Sequence, residues 1–180
     1  MKKVKSKVYQ DYPEHPYISP QRDLDAWEKY PEKFPYSKVE VRQMQRLEED
    51  LLPGDIIMLW RIGFDNFTNE SMIPDYFEYR YGVESNESKQ RLIDGEYMFV
   101  GSVMDSLELQ NAPTLKRLLK EAGLPVSGKK ADLLNRVIAE IDEKTLAEKI
   151  STRRYVITKA GRQLLEKYGD IILRHGPKPM

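Results

Sequence analysis

Six cations, Lys116, Arg117, Lys120, Lys129, Lys130 and Arg136, crowd residues 112–137 against two acids, Glu121 and Asp132. Two of them, Lys129 and Lys130, fall where GLPVSGKKADLLNRV (residues 123–137) begins a helix. A helix start carries partial positive charge, so a lysine there costs roughly 0.3–1 kcal/mol. The same end presents unpaired N–H groups, which bind anions. With phosphate bound, the two ammonium groups reinforce those donors instead of opposing them. Gly128 lets a sugar-phosphate chain come close to the backbone, and Ser127 can cap the helix or touch phosphate. Lys116 and Lys120, one turn apart on the polar side of an earlier helix, extend the surface, and Arg136 faces similarly or is solvated. The chemistry these residues predict is electrostatic capture of a polyanion.

Bond-making chemistry finds little support. The chain has no cysteine and only two histidines, His15 and His175, at opposite ends, which argues against a thiol nucleophile, a thiolate zinc site or a local histidine site. SGKKAD lacks the upstream glycine and the following hydroxyl of a phosphate-binding loop. Pro74-Asp75 with Glu78-Tyr79-Arg80 has the ingredients of a Mg²⁺ nuclease signature. Its second acid comes too soon, however, and Arg80 cannot act as a base. The expectation is a protein that is not an enzyme, with no cofactor and no metal.

Of the 180 residues, 40% are hydrophobic, enough for one sizeable core or two small ones. The 29 basic and 29 acidic residues cancel, so any argument for a nucleic-acid partner rests on how charge is distributed. Residues 1–8 carry four lysines; residues 22–100 hold ten basic and seventeen acidic residues; residues 149–180 hold eight basic and two acidic. The later part of the chain is therefore basic and the middle acidic. No apolar run approaches the ~20 residues of a membrane span, so a soluble, cytoplasmic protein without membrane contact is expected.

These residues need elements to position them. Residues 1–38 are rich in proline and tyrosine and read as an extended arm with a short helix near residues 24–30, whose aromatics pack on the body or dock a protein partner. Val41, Met44, Leu47 and Leu51 are spaced for an amphipathic helix that Pro53-Gly54 would stop. Residues 55–62, DIIMLWRI, read as a buried strand, with helix the close competitor. Residues 75–81 and 85–93 read as short helices about a turn at Gly82, followed by a strand at 96–100. The partner strand is expected at 153–157, running through Thr158 and Gly161 into a last helix with Leu164, Leu165, Tyr168, Ile171 and Ile172 on one face. Helix, turn, helix and strand, closed by a returning strand of the form Tyr-x-hydrophobic-Thr-x-x-Gly, resembles a winged helix. In that outline SNESKQRLI (residues 85–93) sits in the recognition-helix position with Lys89, Gln90 and Arg91, but its acidic surroundings favour a scaffold role.

Between the candidate strands, Asn111 can cap a helix that tolerates Pro113 in its first turn and buries Leu115, Leu118, Leu119 and Ala122. Gly123 ends it, and a second helix carries Leu133, Leu134, Val137, Ile138 and Ile141. The string Leu115-Lys116-x-Leu118-Leu119, then Gly123-Leu124-Pro125-Val126-Ser127-Gly128-Lys129-Lys130-Ala131-Asp132-Leu133-Leu134-x-Arg136, resembles a SAP domain, without a gap. Only the opening Asn111-Ala112-Pro113-Thr114 departs from the family's usual Thr-Val-x-Glu. The resemblance implies a helix, extended loop, helix module that binds double-stranded DNA, often AT-rich.

The expected fold class is α+β, mainly helical, with the SAP-like module embedded in a small, winged-helix-like body. The expected parts are an arm (1–38), an acidic α+β region (39–103), the DNA-binding module (104–145), and a basic strand with a C-terminal helix packing back on 39–103 (146–180). Arg153, Arg154, Lys159, Arg162 and Lys167 offer a second basic surface or a solvated face. The function this predicts is an accessory or regulatory DNA-binding protein; the competing one is a scaffold whose SAP-like unit contacts another protein.

Overall fold

Capping residues and glycines set most of the element boundaries. The computed structural model describes residues 4–32 and 37–176. In chain order it forms α1 (Leu24–Glu28), α2 (Pro53–Ile62), α3 (Tyr76–Tyr79), α4 (Ser85–Asp94), β1 (Met98–Val100), α5 (Val103–Ser106), α6 (Ala112–Glu121), α7 (Lys130–Glu140), α8 (Glu143–Lys149), β2 (Tyr155–Ile157), α9 (Lys159–Lys167) and α10 (Gly169–His175). Three 3-10 turns, Lys7–Tyr9, Val41–Met44 and Leu107–Leu109, complete the set. Lys2, Lys3, Pro35 and Tyr36, which entered the reading of the basic start and the arm, lie outside the described residues. Among those described, the one sheet pairs β1 with β2. The Gly101 amide donates to Arg154 O (2.8 Å) and the Thr158 amide to Tyr97 O (3.0 Å), an antiparallel register that sets Phe99 opposite Val156. The fold is mainly helical α+β.

Contacts divide the chain into two units: Met1–Gly63, Met72–Met98 and Ile157–Met180 form the first, and Phe64–Ser71 with Phe99–Val156 the second.

The first unit is built around α2, and here the sequence reading needs correcting. Residues 55–62 form a helix rather than a strand, and Pro53-Gly54 start it rather than stop the one before. Proline is pre-organised for a helix's first position, and the Asp55 carboxylate accepts the Leu52 amide at 2.9 Å. Ile56, Ile57, Met58, Leu59 and Ile62 are all fully buried because α4, α9 and α10 pack around α2. A helix buried at all but two of its positions carries no broad polar stripe, so its apolar run cannot be told from a strand by period. Gly54 permits this packing: a Cβ there would lie 2.8 Å from the Val83 side chain. The helix expected over residues 41–51 is instead one 3-10 turn followed by irregular chain. Val41 is exposed, and Asp50 takes a positive φ of 61°, so the apolar spacing there marks separate anchors, not a helical face.

Asp55 also ties α2 to α4. Its buried carboxylate accepts Ser88 Oγ at 2.6 Å and Arg91 Nε and Nη2 at 2.9 and 2.8 Å. Arg91 is thus scaffold, as the acidic surroundings of its helix suggested. The N-terminal arm packs within its own unit: Tyr9, Ile18 and Trp27 are buried. Tyr9 Oη accepts the Val39 amide (3.1 Å) while Tyr12 Oη donates to Val39 O (2.7 Å). The short helix expected near residues 24–30 is α1, capped by Asp23.

The Tyr-x-hydrophobic-Thr-x-x-Gly string now has a local explanation. Thr158 Oγ1 caps α9 by accepting the Gly161 amide at 3.0 Å. A Cβ on Gly161 would sit 2.1 Å from Tyr97 O, the carbonyl that pairs with Thr158, so only glycine fits.

Beyond α9, α10 docks on α2 and ends at His175, whose Nδ1 is hydrogen-bonded to Tyr81 Oη at 2.7 Å. Burial pushes the Tyr81 phenol up to about 12, so it remains protonated. Burial, with Arg80 and Arg61 nearby, holds the imidazole below its ordinary 6.5. The folded state therefore favours neutral His175, and its contribution is fully present above 6.5 and lost as pH falls towards the folded value. Thermal melts from about pH 7.5 to about pH 5 should show a loss of stability, and His175→Gln should remove part of that pH dependence.

In the second unit, α5 to α8 share one core: Val103, Leu107, Leu115, Leu118, Leu119, Leu133, Val137, Ile141, Leu146 and Ile150. The unit extends beyond residues 104–145 at both ends, which is how two short helices acquire enough apolar surface.

Candidate nucleic-acid interface

Helices α6 and α7 pack against each other and leave their cations outward. Asn111 Oδ1 caps α6 through the Thr114 amide at 2.9 Å, and Pro113 sits in the first turn. Leu115, Leu118 and Leu119 are buried as their spacing demands, whereas Ala122 is exposed. The helix ends at Gly123, whose φ of +71° costs little only for glycine. On the open face, Arg117 pairs with Glu121 at 2.9 Å, and Lys149 reaches the same carboxylate. Lys116 and Lys120 are exposed, and neither has an ion pair among the described residues.

The loop that follows is exposed from Pro125 through Lys130. Arg136 reaches back from α7, donating from Nη1 to Pro125 O at 2.6 Å and Ser127 O at 3.1 Å. Its first role is to hold the loop in shape. Ser127 is not the cap of α7: the helix starts at Lys130, and Lys129 is the N-cap residue. The capping interaction comes from inside the helix, where the Asp132 carboxylate accepts the Lys129 amide at 2.9 Å. That carboxylate, in the first turn, offsets the two lysines at a positive helix end. Sequence reasoning passed over it, although an acid at the third helical position is the signal of this cap.

Gly128 is also explained by the protein itself. Its φ is +119°, and a Cβ would lie 2.9 Å from Asp132 Cβ. Gly128→Ala is therefore expected to cost about 1–3 kcal/mol, read as a lower urea midpoint. Gly123→Ala, with positive φ but nothing within 4 Å of the added carbon, should cost less.

The two lysines read as a pair are not equivalent. Lys130 Nζ donates to Glu108 O at 2.8 Å, whereas the Lys129 ammonium has no partner among the described residues. The first backbone bond of α7 runs from the Leu133 amide to Lys129 O at 3.1 Å. The amides of Lys130, Ala131 and Asp132 therefore have no acceptor among the described residues, and all three residues are exposed. Three outward donors beside an unpaired ammonium suit an anion. In the helix behind them, Leu133, Val137 and Ile141 are buried, Leu134 is partly buried, and Ile138 faces out at 47% exposure.

Residues 106–141 match the family model of the SAP domain. This segment is a SAP domain. SAP domains are in general DNA-binding modules, and the match supports a nucleic-acid-binding role. No curated protein and no solved structure matches the chain. The core of the SAP domain also takes in Val103, Leu146 and Ile150 from outside the matched residues. Two caps announce those flanking turns: Ser102 accepts from the Met104 and Asp105 amides, and Asp142 from Thr145.

Most of the other sequence candidates are engaged. Arg153 donates to Ile150 O and Thr152 O. Arg154 pairs with Glu108 at 2.8 Å and also donates to Asp65 O. Lys167 pairs with Glu48 and Glu49 at 2.7 and 2.6 Å. Lys159 and Arg162 are exposed without ion pairs among the described residues. Glu78 accepts the Ser19 amide and pairs with Arg22, and Arg80 donates to Arg174 O and His175 O. Among the described residues no group of three or more His, Asp or Glu could hold a metal ion. No helix there is long and apolar enough to cross a membrane.

Proposed function

We propose that the protein binds duplex DNA through its SAP domain, with Lys129, Gly128, Ser127 and the open amides of α7 on one phosphate and Lys130, Lys116 and Lys120 each on a neighbouring one. Arg136 acts by holding the loop. The observation that carries this reading is the exposed start of α7, where, among the described residues, three amides without acceptors stand beside an ammonium without a counter-ion. Such contacts position a protein on the duplex without reading bases, so a preference for AT-rich DNA would arise from groove shape. The role is accessory or regulatory, on cytoplasmic or nucleoid DNA, with no catalysis of its own. In this reading α3, α4 and the two strands serve as a winged-helix-like scaffold, since Arg91 is held internally by Asp55.

Fluorescence anisotropy of the full chain on AT-rich and GC-rich duplexes over a salt series tests this. Four lysine contacts predict a slope near −3.6 in log affinity against log salt, with micromolar or weaker binding. A flat salt dependence, or no binding at low salt, overturns it. One observation favours a second reading. Val126 and Ile138 are apolar and 41% and 47% exposed within the SAP domain, as a protein-contacting module would show them. Absence of DNA binding at low salt together with a stoichiometric protein complex lost on Ile138→Asp would select that reading.

A further inference from the structure

The first unit contains a cleft that the SAP domain has no part in. It encloses about 240 Å³, and its lining includes Arg42, Arg46, Arg80 and Arg174, with Gln43 and Gln45 beside them and no carboxylate among the described lining residues. Three of the four arginines come from residues 22–100, where acids outnumber bases seventeen to ten. Four guanidinium groups lining one cleft, three of them from an acidic stretch, run against the local charge balance.

Their partners show which can respond to a ligand. Arg46 is held by Glu14, at 2.8 Å from both Nε and Nη2, and Arg80 by two carbonyls at the end of α10, at 2.8 and 3.2 Å. These two are fixed. Arg42 and Arg174 are 56% and 51% exposed and, among the described residues, pair only with Glu40 and Asp170, neither of which lines the cleft. Exposed pairs of this kind rearrange readily. Two internally held and two solvent-exposed guanidinium groups suit an oxyanion with several acceptor oxygens, because each can present paired N–H donors to it. The volume lies below the roughly 300 Å³ at which sites for drug-sized ligands begin, so the ligand's buried part is small.

We propose that this cleft binds a phosphate monoester, either a free mononucleotide or the terminal phosphate of a nucleic-acid strand. The site belongs to the first unit and stands whether or not the SAP domain binds DNA. The full chain is titrated at constant ionic strength with inorganic phosphate, a nucleoside 5′-monophosphate and the unphosphorylated nucleoside, followed by calorimetry. Short duplexes with and without a 5′-phosphate form a second arm. The expected result is saturable binding of phosphate and the monophosphate, with the nucleoside inert.

Arg42→Ala/Arg174→Ala, chosen because both side chains are exposed, should weaken monophosphate binding at least tenfold while the thermal melt stays unchanged. If that variant unfolds, Arg42→Lys/Arg174→Lys, which keeps charge but not the paired donors, should give a smaller loss. Tighter binding of the 5′-phosphorylated duplex than of the same duplex without that phosphate assigns the site to strand ends; equal binding of the two duplexes assigns it to free nucleotides. No saturation up to about 10 mM, equal affinity in the arginine variants, or loss caused instead by Lys129→Glu/Lys130→Glu would overturn the proposal.

Discussion

Asp55→Ala is expected to lower stability by about 3–5 kcal/mol, the range for leaving a buried charge without its partner, out of a total of about 5–15 kcal/mol for a natural domain. The Asp55 side chain is fully buried and receives four donors: the Leu52 amide, Ser88 Oγ and two nitrogens of Arg91. Removing it leaves a guanidinium that is 24% exposed with only the weaker contact to Glu87 at 4.0 Å among the described residues, orphans a buried hydroxyl, and takes away the residue that starts α2. With a urea slope of about 2 kcal/mol/M, the midpoint should fall by about 1.5–2.5 M. Asp55→Asn, which keeps the shape and one acceptor, should fall between the two. Asp55→Ala/Arg91→Met should recover part of the loss, since the double change leaves no unpaired charge. A midpoint change under about 0.5 M for Asp55→Ala would show that the network contributes little and that packing alone holds α2 to α4.

The second large effect has opposite signs in the free and bound protein. Lys129→Glu/Lys130→Glu should reduce duplex affinity by about 30–100-fold at low salt and flatten the salt slope by about 1.8, the share of two phosphate contacts. In the absence of DNA the same variant should melt no lower than the parent, because acids favour a helix start by roughly 0.3–1 kcal/mol each. Lys129→Glu alone should account for most of the binding loss, because the Lys130 ammonium is drawn to Glu108 O while that of Lys129 has no partner among the described residues. Anisotropy and thermal melts on the same samples decide it. A variant that melts much lower would attribute the lost binding to unfolding. A variant that binds duplex as well as the parent would remove α7's start from the interface.

The SAP segment was legible because its information is local. Asn111 as a cap, Pro113 in a first turn, Gly123 as a stop and the leucines of α6 each act within a few residues, and a family pattern is made of such features. The strand pairing of residues near 98 and 155 was legible for a different reason: Thr158 and Gly161 are constrained by the carbonyl of Tyr97, and that constraint leaves a readable string. What escaped depended on surroundings. Residues 55–62 are helical because other helices cover all but two of them, and nothing inside the run states that. The start of α7 was misplaced by two residues because Ser127 is a better cap in isolation than Lys129, until the Asp132 carboxylate supplies the acceptor that Lys129 lacks. Arg136 shows the same limit. An arginine on a helix looks available to a ligand until its loop carbonyls are in view.

That β1 and β2 are neighbours in the sheet yet stand more than fifty residues apart in the chain also bears on how the protein is made. A ribosome releases β1 long before its partner, and the intervening stretch, including all of residues 106–141, emerges in between. Closing a loop of that length carries an entropic cost that grows slowly with the number of free residues, so prior collapse of the intervening stretch would shorten the loop left to close. Vectorial synthesis would then favour a nascent chain in which the inserted segment matures first and the flanking strands join last.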